Sequence, residues 1–170
     1  MQDEFEIYKV DSDHIDDGLF DQIVKVESDG NEDGYSVETL KDIWMESKND
    51  NFVCIIHGNV IGHISFNPFS KRRNGSVYCI NLVVSPNYRR KGVALKLIKA
   101  GCEYYLNRKC TLPISLSVDK DNFPAIMLYQ KIGFEIKEPM NDIEIDDTQY
   151  IMESSFNCVY QIICQSEKKR

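Results

Sequence analysis

The sequence predicts an α/β (α+β) protein, a single domain with a mixed central sheet of about six to seven strands flanked by about four helices. Three observations predict it. The chain has 170 residues, long enough for one buried core. Short β-branched runs bounded by Gly, Pro and Asn alternate with segments whose apolar residues recur every three or four positions. One stretch, VYCINLVVSPNYRRKGVALKLI from Val77 to Ile98, reads in order as strand, basic turn and helix.

Each element follows from its pattern. Glu4 to Val10 alternates and reads as a first strand. Residues 13 to 28 put Ile15, Leu19, Ile23 and Val26 on one helical face, with Asp13 as the cap. The polar stretch from Asp29 to Gly34 is a loop. Ser36 caps a second helix through about Ser47, with Leu40, Ile43 and Trp44 inward. Asn51 to Phe66 is a hairpin turning at Gly58 and Asn59. Residues 67 to 75 form a basic loop, read as a solvated hairpin tip. Val77 to Val84 is the central strand, ended by Pro86, and a helix runs from about Arg90 to Asn107.

Pro113 to Val118 is another strand. Asp121 or Asn122 caps a helix through Lys131, which Gly133 stops before a strand at Phe134 to Lys137. Residues 138 to 148 are an acidic loop, and Tyr150 to Phe156 is a last strand that Val159 to Cys164 extends or packs beside. The expected order is β-α-α-β-β-β-α-β-α-β-β, with one domain over residues 1 to 170 and a frayed tail.

Composition narrows the function. No apolar run of about 18 residues exists, so no membrane span is expected. The acidic N-terminal residues do not read as a secretory signal. Six cysteines without CxxC spacing, mostly in apolar stretches, point to reduced thiols and a cytoplasmic protein. The same spacing, and three scattered histidines, argue against a metal site. Lys71-Arg72-Arg73 is too small a basic patch for nucleic acid in a chain of net charge −7. That net charge hides an asymmetry. Residues 1 to 50 carry 16 acidic and 4 basic side chains, and residues 51 to 170 carry 11 and 16, which suits a cationic ligand in one part and a phosphate-bearing one in the other.

The basic turn Arg89-Arg90-Lys91-Gly92-Val93-Ala94 opens a helix, so backbone N–H groups face whatever sits before it. It lacks the Gly-Lys-Ser/Thr of a Walker loop and the three glycines of a dinucleotide fingerprint. Its Arg-x-x-Gly-x-Ala spacing resembles the coenzyme A loop of the GNAT N-acetyltransferases. A second stretch, NFPAIMLYQKIGF, is similar to the other signature of that family through Asn122, Ala125, Leu128, Tyr129, Gly133 and Phe134.

The resemblance implies acetyl-CoA as donor, a primary amine as acceptor, and direct attack on the thioester. It implies cofactor contacts at Leu82, Val83 and Val84, where the central strand splays from its neighbour and offers backbone groups to pantetheine. Further contacts fall to Arg89, Arg90, Lys91, Gly92, Val93 and Ala94 around the pyrophosphate, and to Asn122. Tyr129 is the implied general acid for the departing thiolate, a role that suits a phenol protonated at neutral pH.

The pattern departs from the family at the base. Ser117 stands where N-terminal peptide acetyltransferases carry a glutamate, and Ser76 to Asn81 contains no carboxylate. Asp119, near the end of the fifth strand, is left as a base to consider, with Asn81 or Tyr78 to order a relay water. Among the cysteines, which direct attack does not need as nucleophiles, Cys79 on the central strand is the one to watch, and it reads first as a buried structural thiol. Asp29, Glu32, Asp33 and Glu38, with Asp142, Glu144, Asp146 and Asp147, suggest an anionic mouth for a small cationic amine. The alternatives are a protein lysine acetyltransferase and a non-catalytic acyl-CoA sensor. An extended last strand through Cys158 to Cys164 would offer an edge for a homodimer.

Overall fold

The computed structural model describes residues 4–46 and 48–170. Among these residues are seven strands and five α-helices, a mixed α/β architecture of the expected class. In chain order these are β1 (Glu6–Val10), α1 (Asp17–Gly30), α2 (Val37–Lys41), β2 (Asp50–Ile56), β3 (Asn59–Ser70), β4 (Ser76–Val84), α3 (Val93–Asn107), β5 (Ile114–Asp119), α4 (Phe123–Lys131), β6 (Glu135–Lys137), β7 (Gln149–Ser154) and α5 (Phe156–Lys168). The chain divides into two compact units, Met1–Phe66 with Asn81–Ala100, and Asn67–Ile80 with Gly101–Arg170. Strand β4 and helix α3 run through both.

In the first unit the strand order is β1-β2-β3-β4. The hairpin between β2 and β3 turns at His57 and Gly58, with Ile56 opposite Asn59. Both turn residues have positive φ, +48° and +78°. A two-residue turn of this kind matches the strand twist, which moves the turn one residue from its expected place. Asp16, rather than Asp13, caps α1 by accepting from Leu19 N, and Asp13 falls in a short 3₁₀ turn. Ser36 caps α2 as expected, accepting from Thr39 N, but the α-helix ends at Lys41 and a π turn follows from Asp42 to Glu46. Its expected end, Ser47, lies outside the described residues. Phe20, Ile23 and Val26 of α1, Leu40, Trp44, Phe52, Ile64 and Leu97 form the buried core of this unit.

In the second unit the order is β4-β5-β7-β6. Strands β4 and β5 pair in parallel from Val77–Ile114 to Cys79–Leu116, while β7 runs antiparallel to β5 and β6. The segment from Phe156 onward corrects the expected strand. It is α5, whose cap Ser155 accepts from Cys158 N. Phe156, Val159 and Ile163 are buried at helical spacing, and Phe156 stacks on Tyr105 with ring centroids 4.8 Å apart. Apolar β-branched and aromatic residues read as strand in sequence; the cap and the single buried stripe make them a helix. The strand edge on which the homodimer expectation rested does not exist.

The basic hairpin tip is also corrected. Strand β3 continues to Ser70, and Arg73 (φ +55°) is 9% exposed in its side chain. Its Nε lies 2.8 Å from Glu153 Oε2, its Nη1 3.3 Å from Glu144 Oε2 and 2.7 Å from the Glu138 carbonyl. The Arg73 backbone N–H also donates to Glu144. Burial opposes ionisation of Glu144, but the Arg73 and Met140 N–H groups and the guanidinium outweigh it and hold its carboxyl below the ordinary range. Glu144, 2% exposed, therefore secures the β6–β7 loop and does not belong to an anionic mouth. Among the described residues no helix is long and apolar enough to cross a membrane.

Candidate active site

The turn before α3 has the backbone shape that the sequence suggests. Arg90 (φ +61°) and Gly92 (φ +85°) both lie in the left-handed region. That region suits glycine, and in Arg90 it is a strained choice that the turn imposes. Lys96 N donates to Gly92 O at 3.0 Å, so Gly92 is the first carbonyl of the helix. The N–H groups of Val93, Ala94 and Leu95 therefore have no partner within α3, and the positive end of the helix dipole lies at the turn. This helix has 15 residues, so its dipole is well developed. Val83 and Val93 are 5% and 2% exposed, so their side chains belong to the core and only their backbone can serve a ligand.

The basic side chains of the turn do not all reach outward. Arg89 donates through Nε to Val84 O at 3.2 Å and through Nη2 to Gly30 O. It thus ties the end of α1 to the end of β4. Lys91 sits over the Tyr88 ring, 5.1 Å from its centroid.

In the second unit, Asn122 caps α4, its Oδ1 accepting from Ala125 N at 3.3 Å. Tyr129 is 9% exposed. Phe134 N donates to Tyr129 O at 2.9 Å after the turn at Gly133 (φ +100°), and the two rings meet edge to face at 5.7 Å. The spacing Tyr-x-x-x-Gly-Phe is thus a packing device that fixes the tyrosine. Burial pushes the Tyr129 hydroxyl above the ordinary phenol range, with Cys79 and Tyr78 adding to it. A group so placed holds its proton at neutral pH.

Asp119, considered as a base, and Tyr78, considered for ordering a relay water, have other partners. Asp119 is exposed and accepts from Gln149 Nε2 at 2.9 Å. Tyr78 lies under the Arg72 guanidinium, 4.5 Å from the ring centroid, and Ser117 Oγ is 3.5 Å from Arg72 Nη1. Cys79 is buried. Burial raises the Cys54 thiol to about 11 and Cys102 to about 12, so neither is a ready nucleophile.

Asn81 leads to a group that sequence reading missed. Its Nδ2 donates to Glu27 Oε2 at 2.7 Å. Glu27, on α1, is 1% exposed and also accepts from Tyr35 N at 3.1 Å. His63 Nε2 lies 3.2 Å from Glu27 Oε2, at ion-pair range but without the alignment of a linear hydrogen bond. Burial opposes ionisation of Glu27; His63, Asn81 and the Tyr35 N–H together outweigh it and hold its carboxyl below the ordinary range. The loop after α1 closes on this carboxylate at Gly34, where a Cβ would stand 2.9 Å from Glu27 Oε1. The available signal was Glu27 falling beside Ile23 and Val26 on the apolar face of α1.

The family described as Acetyltransferase (GNAT) family matches residues 20–134. The chain belongs to the GNAT acetyltransferase family. It is 30% identical over 99 residues to the Escherichia coli L-amino acid N-acetyltransferase AaaT, covering 58% of this chain and 61% of that one. It is 31% identical over 129 residues to an N-alpha-acetyltransferase of Saccharolobus solfataricus, covering 68% and 74%. An Escherichia coli spermidine N(1)-acetyltransferase is 34% identical over 56 residues, 33% of this chain and 30% of that one. Among solved structures, the PaiA N-acetyltransferase of Thermoplasma acidophilum in complex with coenzyme A shares the fold, with a TM-score of 0.65, 17% identity and coverage of 89% and 99%.

Proposed function

We propose that the chain is an acetyl-CoA-dependent N-acetyltransferase, one domain over residues 1–170, that moves an acetyl group to a small cationic amine. The observation that carries this reading is the turn at Arg90 and Gly92 opening the 15-residue helix α3. Its unpaired N–H groups and dipole suit a pyrophosphate, and the absence of a Cβ at Gly92 suits close backbone approach.

Acetyl-CoA supplies an acetyl group activated as a thioester. Arg90, Lys91, Gly92, Val93 and Ala94 bind its pyrophosphate, and Arg89 braces the turn against Val84 and Gly30. The backbone of Leu82, Val83 and Val84, which lie along β4 beyond its pairing with β5, receives the pantetheine amides. Asn122 orients the arm with the side chain that caps α4. Tyr129 holds a proton at Oη and gives it to the departing thiolate. The acceptor nitrogen attacks directly, so no cysteine forms an intermediate. The acidic balance of residues 1 to 50 supports a cationic acceptor, and free cysteines support a reducing, cytoplasmic setting.

A second reading takes an α-amino group as the acceptor. It is favoured by the similarity to an amino acid acetyltransferase and an N-alpha-acetyltransferase. Ser117, which lies near Arg72, weighs against the peptide form of it.

Release of coenzyme A thiol from acetyl-CoA, measured against polyamines, aminoglycosides, amino acids, lysine peptides and peptide N-termini, tests both readings. Turnover with a polyamine or aminoglycoside, reduced about a hundredfold in Tyr129→Phe, is the expected result. Turnover confined to α-amines selects the second reading. Calorimetric binding of acetyl-CoA without turnover on any amine overturns both.

A further inference from the structure

Direct transfer leaves one step without a residue: an amine of pKa about 10 arrives protonated and must lose a proton before it attacks. The first unit contains a buried polar group for which packing gives no reason. His63 and Ser65 share one face of β3, and Asn51 stands opposite Ser65 across the β2–β3 pair, so all three lie on the same face. Trp44 meets the His63 ring edge-on, with centroids 5.6 Å apart. These residues are 0 to 2% exposed. Yet Trp44 Nε1, Asn51 Oδ1, Ser65 Oγ and both ring nitrogens of His63 have no hydrogen-bond partner among the described residues, Nε2 having only the Glu27 carboxylate at ion-pair range.

One orphaned buried polar atom costs about 1–3 kcal/mol, so orphans on three residues of one sheet face and on the tryptophan packed against it are not a packing accident. Two donor-capable groups, Trp44 and Ser65, and acceptors at Asn51 and Ser65 match what ordered water requires. His63 is the imidazole of the group, a side chain whose ring nitrogens can each accept or donate a proton. Glu27 faces its Nε2. A carboxylate on one ring nitrogen with the other nitrogen unpartnered is the arrangement of an oriented base.

We propose that His63, oriented by Glu27, receives the proton of the acceptor ammonium through water held by Trp44, Asn51 and Ser65. This rests on the acetyl-transfer reading above. An N–H bond of the ammonium breaks, a proton moves along hydrogen-bonded water, and an N–H bond forms at His63 Nδ1. The positive charge passes from the acceptor to an imidazole whose other nitrogen faces the Glu27 carboxylate, which stays ionised. The neutral amine then has its lone pair free for the thioester carbonyl, and the proton returns to solvent after turnover. Glu27 of α1 is the charged group against His63. Trp44 of the π turn, Asn51 and Val53 of β2, and Asn81, which shares Glu27 from β4, do not titrate. Glu27 and His63 are positioning and relay residues; neither is exposed to the acceptor directly.

The test is the pH profile of kcat/KM for the acceptor in wild type and His63→Gln. The variant is expected to lose at least about tenfold at neutral pH, with the gap closing as pH rises and the amine deprotonates unaided. Its KM for acetyl-CoA is expected to stay within about twofold. A superimposable profile, or a loss equal at every pH, overturns the relay. Should His63→Gln fail to fold, Trp44→Phe and Ser65→Ala each delete one water-holding group while keeping most of the side chain. Both are expected to displace the profile upward in the same sense, and unchanged profiles in both overturn the proposal. Nitrogen NMR of the His63 ring gives a readout without turnover. The neutral ring is expected to carry its proton on Nε2, with Nδ1 bare, and to lose that bias in Glu27→Gln; a proton on Nδ1 overturns the relay. Absence of turnover by wild type at any pH is a failure of the acetyl-transfer reading instead.

Discussion

Among the described residues two clusters of charge are buried, and they are built oppositely. Arg73, Glu144 and Glu153 use their capacity on one another and on backbone: the guanidinium reaches two carboxylates and a carbonyl, and Glu144 takes two N–H groups besides. Glu27 is bonded to Asn81 and lies at ion-pair range of His63, but neither nitrogen of that ring makes a hydrogen bond, and orphaned atoms of Trp44, Asn51 and Ser65 share its surroundings. A satisfied network holds a loop in place. A network left incomplete in the protein needs something from outside, water or substrate, to complete it. The difference separates structural charge from chemical charge without reference to sequence position.

The largest effect expected from breaking this contrast is in stability. Arg73→Met leaves Glu144 buried without its cation and is expected to cost about 3 kcal/mol, somewhat reduced because Glu153 is partly open to solvent. Urea denaturation measures it, and adding Glu144→Gln is expected to restore part of the loss because the stranded charge is gone. The shape of the kcat/KM profile against pH is expected to stay as in wild type. A displaced profile in Arg73→Met would erase the distinction.

Acid sharpens the same contrast. Glu27 and Glu144 are both held below the ordinary carboxylate range, so each binds a proton less readily folded than unfolded. Their contribution is complete above the unfolded value of about 4.3 and is lost as pH falls through the lower folded values. Denaturation midpoints are expected to fall steeply below about pH 4 in wild type and less steeply in Glu27→Gln and in Glu144→Gln. At neutral pH Glu27→Gln is expected to cost about 1–3 kcal/mol, since its neighbours keep a neutral acceptor.

Smaller effects belong to the turn and the cap. Gly92→Ala places a Cβ at φ +85°, costs about 1 kcal/mol and is expected to raise the KM for acetyl-CoA more than it lowers Tm. Asn122→Ala removes the bond to Ala125 N and costs about 1 kcal/mol by thermal denaturation.

Local patterns made most of the elements legible. Ser36 caps where its residue type predicts, Asn122 is the one of the two candidates Asp121 and Asn122 that caps α4, and the β-branched run at Val77 to Val84 is a strand. The strand–turn–helix around Gly92 follows from a glycine, a proline and a helical apolar stripe within one short stretch. These features depend on neighbours in the chain, and the sequence by itself determined them, along with the family they mark. It did not determine that Phe156 to Lys168 is a helix, because its apolar residues suit either period until a cap and a partner such as Tyr105 select one. Nor did it assign the charges. Arg73 and Glu144 are 71 residues apart, and Glu27, His63 and Asn81 come from a helix and two strands. Whether a charged residue is solvated, buried and paired, or buried with a nitrogen to spare depends on which distant groups folding brings within about 3 Å, and only the tertiary structure decided that.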